Sequence, residues 1–156
     1  LVGYPSEDEE FVIVERVIGP AIDIGAVITT AQLAQLQKEC RAAYVDPSLI
    51  TYAVKLVAAT REPGKVVHTD LAKYVAFGAS PRATIWLIEG ARALAFLRGR
   101  NYALPEDVID LVPDVLRHRV TLTYEAMADG ITADSFVERI VKAVRAPAKP
   151  LGAANG

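Results

Sequence analysis

Six consecutive residues, Gly78-Ala79-Ser80-Pro81-Arg82-Ala83, are placed to do chemistry together in a chain otherwise rich in aliphatic side chains. Ser80 suits an N-cap, and Pro81 suits the first helical position, because its ring presets φ near about -65° and its missing N–H had no helical partner. Arg82 then falls on the second helical residue, where the helix carries roughly half a positive elementary charge and a cation typically costs about 0.3–1 kcal/mol. An anion held between that guanidinium and the first-turn amides reverses the sign. Gly78 lets another body approach the backbone closely. The stretch is therefore a candidate anion-binding corner centred on Arg82. At roughly 100° per residue, Glu89 lies about 20° and Arg92 about 80° from Arg82, which predicts one polar stripe on an otherwise buried helix. The competing interpretation is an exposed arginine paired with Glu89, worth about 0–1 kcal/mol.

Other reactive constellations are missing from the sequence. Gly64-Lys65 is the only Gly-Lys pair, and a phosphate-cradling GxxxxGK[ST] loop needs glycine where Ala59 stands and serine or threonine where Val66 stands. His68 and His118 have no second histidine or cysteine at ligand spacing, so no metal site is expected. His68 reads as a loop residue and His118 as a cap at a helix C-terminus. Ser80 is not on a nucleophile turn. The acids Glu7 to Glu10 and the pair Glu106-Asp107 are explained by helix starts, so no catalytic residue is assigned.

The elements that must position this corner are helical. Of 156 residues, 52% are hydrophobic and 23% charged, which fits a folded domain with a sizeable core. Seventeen basic against nineteen acidic residues leave a net charge of -2, which gives no bulk attraction for nucleic acid or an anionic membrane. The single cysteine, Cys40, excludes an internal disulfide, fits a reducing cytoplasm and is expected to fill core space. No apolar run reaches the roughly 18 residues that would span a bilayer. The chain opens on Leu1 in what reads as a strand end running into a helix, so a piece of a longer protein is expected.

Ser6 with Glu9 predicts a capping box, followed by an apolar stripe at Phe11, Val14 and Val17 or Ile18. Thr29 or Thr30 opens a second helix with Leu33, Leu36, Cys40 and Ala43 inward, and Asp46-Pro47 opens a third. Val75 to Phe77 leans towards extended structure. The longest helix runs from Ser80 to about Arg98 and stops at Gly99. Pro105 starts the next, and Pro113 is expected to split it into two short pieces ending near Arg117. Val120, Leu122 and Tyr124 alternate as one short strand. Thr132 or Asp134 caps a last helix carrying Phe136, Val137, Ile140, Val141 and Val144.

The ordered series "FGASPRATIWLIEGARALAFLRGRNYALPEDV" and "VLRHRVTL", Val115 to Leu122, resembles the C-terminal lid subdomain of MoxR-type AAA+ ATPases over nearly the whole chain to about Pro147. That resemblance implies a mainly α fold, a helical lid bundle with at most one or two short strands. It implies a junction at 1–5 from a large domain, a lid over 6–147 and a flexible tail over 148–156. It also implies that Arg82 is the sensor-2 residue that reaches the γ-phosphate of ATP, with Pro81 and Ala83 near the nucleotide. ATP and Mg would belong to the parent protein, with no tight binding by this piece, which lacks Walker A and Walker B. The implied partners are the large domain of the same chain, neighbouring subunits of a ring and von Willebrand A domain proteins. The alternative is a free-standing helical module that docks a protein through Arg82, Glu89 and Arg92. A nucleic-acid reader using Arg98, Arg100, Arg117 and Arg119 is disfavoured by the net charge.

Overall fold

A computed structural model of the chain describes residues 3–21, 24–66 and 70–148. The described chain divides into two compact units, Leu1–Leu33 and Ala34–Gly156. His68 and the tail beyond residue 148 lie outside the described residues. Among the described residues the fold is mainly α, with one two-stranded sheet.

In the first unit, helix α1 spans Glu7–Ile18. Its capping box forms as the sequence predicts: the Ser6 hydroxyl accepts from the Glu9 amide, and the Glu9 carboxylate accepts from the Ser6 amide at 2.8 Å. These hydrogen bonds hold the Glu9 carboxyl below its ordinary range. The expected apolar stripe is present but not inward, since Phe11, Val14 and Val17 are 70%, 50% and 77% exposed. About 33 residues are too few to bury such a stripe on their own. Helix α2, Thr30–Ala42, begins with Thr29 and Gln32 exchanging the bonds of a second capping box. Leu33 and Leu36 on it are exposed and Cys40 is half-buried, so the inward face predicted for this helix is realised only at Ala43, just past its end.

The core belongs to the second unit. Helix α3, Pro47–Arg61, starts at an Asp46 cap whose carboxylate takes the Ser48 amide at 2.8 Å. It buries Leu49, Tyr52, Ala53, Leu56 and Val57. Two 3-10 turns, Pro63–Lys65 and Asp70–Tyr74, lead to β1, Val75–Phe77. Helix α4, Arg82–Leu97, runs through the middle, with Ala83, Leu87, Ala91 and Ala95 fully buried at four-residue spacing. That small-residue ladder lets neighbours close in. A Cβ on Gly90 would stand 2.9 Å from the Leu111 side chain.

Leu111 comes from helix α5, Pro105–Leu116, which packs along α4. Pro113 does not split α5, contrary to the expectation from its ring. The lost amide bond and the ring clash are tolerated because Val108, Val112 and Leu116, on both sides of the proline, are each buried, at roughly 1.5–3 kcal/mol per side chain. The expected strand after it shrinks to β2, Thr121–Leu122, antiparallel to β1. Thr123 then caps a short helix α6, Tyr124–Ala128, so Tyr124 is helical and 82% exposed. Helix α7, Ala133–Ala143, is capped by Thr132 and buries Phe136, Val137 and Ile140 against α3 and α5.

Candidate functional site

The corner around Arg82 is held by the C-terminal end of α3. The Thr60 hydroxyl donates to the Val57 carbonyl at 2.7 Å and accepts from the Ala79 amide at 2.9 Å. Arg61 donates to the Ala79 carbonyl at 3.1 Å. Thr60 thus bridges two backbones while wholly buried. Gly78 is required here for contact rather than for a special φ: a Cβ would lie 2.5 Å from the carbonyl carbon and oxygen of Thr60. The close body predicted for this glycine is the chain's own third helix.

The entry to α4 differs from the expected cap. Pro81 is already helical at φ -57°, ψ -22°, and no side chain caps the helix. The Ala83 amide bonds the Ser80 carbonyl at 2.9 Å and the Thr84 amide bonds the Pro81 carbonyl at 3.0 Å. A tight first turn therefore occupies two of the amides expected to face an anion. Ala83 is fully buried, and its side chain fills core space. Pro81 and Arg82 remain exposed.

Arg82 makes no hydrogen bond or ion pair among the described residues. Glu89, its expected neighbour on the stripe, instead binds Arg92 at 3.1 Å. The helix is also not buried on its remaining sides, because Ile85, Trp86 and Leu97 are 60%, 57% and 80% exposed.

The other arginines are committed. Asp107, fully buried, accepts from Arg98 at 2.7 Å, from Arg100 at 2.6 and 2.8 Å, and from the Leu104 amide at 2.8 Å. Four bonds fill the acceptor capacity of one carboxylate. Burial pushes this carboxyl up, but Arg100, the Leu104 amide and Arg98 outweigh it and hold Asp107 below the usual range. Arg98 also reaches Asp110 at 2.6 Å. Arg117 joins Asp134 at 2.8 Å, tying the end of α5 to the start of α7. Arg119 donates to the Val115 carbonyl, the capping role that the sequence assigned to His118. His118 itself is exposed in the turn after α5. These four arginines serve the fold, which removes the basis for a nucleic-acid surface.

Thr60, Arg61 and Asp107 were the residues that sequence patterning missed. Thr60 had a signal: a polar residue three and four positions beyond Val57 and Leu56, on the buried face of α3. Among the described residues no group of three or more acids, histidines or cysteines could hold a metal ion, and no helix is long and apolar enough to cross a membrane.

The AAA lid domain family matches residues 67–140. The chain is 42% identical over 146 residues to chaperone MoxR1 of Mycobacterium tuberculosis, an alignment covering 94% of this chain and 39% of that protein. It is 31% identical to protein MoxR of Methylorubrum extorquens over 85% of this chain and 39% of that one. A crystal structure of a putative ATPase from Cytophaga hutchinsonii superposes with a TM-score of 0.79 at 32% identity, covering 94% of this chain and 45% of the other. The chain thus spans about two fifths of the length of these curated relatives.

Proposed function

Since the chain belongs to the lid domains of MoxR-type AAA+ ATPases, we propose that it couples the nucleotide state of a P-loop domain outside these 156 residues to movement of the lid, with Arg82 as the sensor-2 residue. The carrying observation is the isolation of Arg82: an exposed guanidinium at a helix N-terminus, without a carboxylate partner among the described residues, on a backbone fixed by Thr60 and Gly78. A guanidinium stays charged at all relevant pH and its planar fork matches phosphate oxygens. Its unfavourable place in the helix field is relieved when a phosphate lies beside it.

The residues present suit one end of ATP. Arg82 can take the γ-phosphate and Pro81 can line its approach, while the Mg ion would draw its ligands from outside the described residues. The phosphate supplies the negative charge that Arg82 lacks. Losing that contact frees the corner, and because α3 and α4 share the Thr60 bridge, a displacement of Arg82 passes directly into two core helices. In this reading lids of neighbouring subunits move together in a ring and remodel client proteins, with von Willebrand A domain proteins as co-workers.

Arg82→Ala in the ATP-hydrolysing protein that contains this chain is expected to leave folding nearly unchanged and to lower steady-state turnover by roughly 10- to 1,000-fold, the range for removing one preorganised charge donor. Equal turnover in the variant and its parent would reject the sensor role. Loss of ring assembly with normal turnover in the assembled fraction would favour the docking-module alternative.

A further inference from the structure

A small recess on the outer side of α3, about 250 Å³, is lined by Ser48, Thr51, Tyr52, Lys55, Arg145 and Pro147. Its chemistry is one-sided. Four other recesses, near Arg16, Arg100, Lys65 and Arg119, each carry at least one carboxylate beside their cations. This one is lined by two cations and three hydroxyl-bearing side chains and by no carboxylate. Neither Lys55 nor Arg145 makes an ion pair among the described residues.

Tyr52 supplies an independent sign. It is only 2% exposed, and its hydroxyl is buried with no hydrogen-bond partner. A buried hydroxyl left unpaired costs about 1–3 kcal/mol, so a position that keeps tyrosine rather than phenylalanine calls for an acceptor. The nearest acid in sequence is Asp46, and its Oδ1 already accepts the Ser48 amide and hydroxyl. The Thr51 hydroxyl is directed to the Pro47 carbonyl at 2.9 Å, which leaves its oxygen free to accept but its proton committed. The unmet demand is for an acceptor with negative charge.

We propose that this recess is a second anion site, independent of Arg82, that takes a small phosphate-class oxyanion between Lys55 and Arg145, with the Tyr52 hydroxyl donating to it. The volume accommodates one phosphoryl group and is too small for a whole nucleotide.

The test is an NMR titration of the 156-residue chain with inorganic phosphate and, in parallel, O-phosphoserine, each against chloride at matched ionic strength. Saturable shifts at Tyr52 and Arg145 are expected with phosphate. Arg145→Ala should weaken binding roughly tenfold, as loss of a charge-assisted contact does. Tyr52→Phe should weaken binding several-fold, without loss of folding, and Arg82→Ala should leave it unchanged. Tighter binding of O-phosphoserine would assign the site to phosphomonoesters, and equal binding to free phosphate. Linear shifts without saturation, or identical titrations of parent, Tyr52→Phe and Arg145→Ala, would overturn the proposal. Binding lost only in Arg82→Ala would also overturn it, while leaving the sensor role intact.

Discussion

The two ends of α4 both present arginines, and they are treated in opposite ways. At the C-terminal end the helix field favours a cation, and the chain adds a buried carboxylate: Arg98 and Arg100 close on Asp107, with Arg98 also on Asp110. The helix stops there in a defined fashion, with Gly99 at φ 72° and the Arg100 amide bonded to the Ala95 carbonyl at 2.9 Å. At the N-terminal end the field opposes a cation, and Arg82 receives no acid among the described residues, although its backbone is held by Thr60 and Gly78. One end spends its charges on the fold. The other holds a charge in reserve on an equally firm base, which is the arrangement a phosphate contact needs.

The sharpest way to break this contrast is at Asp107. Asp107→Ala leaves two guanidinium groups without their shared acceptor and is expected to destabilise the domain by about 3–5 kcal/mol, measured by denaturant unfolding. Its pH dependence has a definite sign. The folded-state pKa is depressed, so the stabilisation is complete above the ordinary carboxylate range and is lost as pH falls through that range towards the folded value. Asp107→Asn should flatten the acid limb of the stability curve, and an unchanged limb would show that other groups control it.

Gly78→Ala comes next. The added methyl meets main-chain atoms that cannot rotate away, and a loss of about 1–3 kcal/mol is expected together with displacement of the corner. If the variant unfolds at the parental midpoint, the close approach of the two backbones is wrong. Thr60→Val keeps the shape but strands the Ala79 amide, at about 1–3 kcal/mol, and should loosen Ala79 in hydrogen exchange before the rest of α4. The smallest effect belongs to Arg82→Ala, within about 0.5 kcal/mol, because the side chain contributes nothing to the packing described here.

Much of this architecture was legible in the sequence because it is written in local chemistry. The caps at Ser6, Thr29, Asp46 and Thr132, the stop at Gly99 and the inward faces of α3 and α7 follow from residue type and spacing, and all form. What escaped was decided by contacts distant in sequence. Pro113 sits within an unbroken helix because buried neighbours on either side hold the two halves in line. Asp107 looked like an ordinary first-turn acid until two arginines from the preceding turn closed on it. At the candidate site, the exposure of Arg82 matched its sequence, whereas the Ser80 cap and the open amides gave way to a tight first turn. The Thr60 bridge spans 19 residues, beyond the reach of any periodicity.

The central claim is that Arg82 recognises the terminal phosphate of a nucleotide held by the neighbouring domain. It is tested most directly by the ratio of affinities for a non-hydrolysable ATP analogue and for ADP, measured in the protein that joins both domains, with and without Arg82→Ala. The account predicts that the variant loses triphosphate preference by roughly tenfold, the worth of one charge-assisted contact, while ADP affinity stays the same. An unchanged ratio in a correctly folded variant would contradict it.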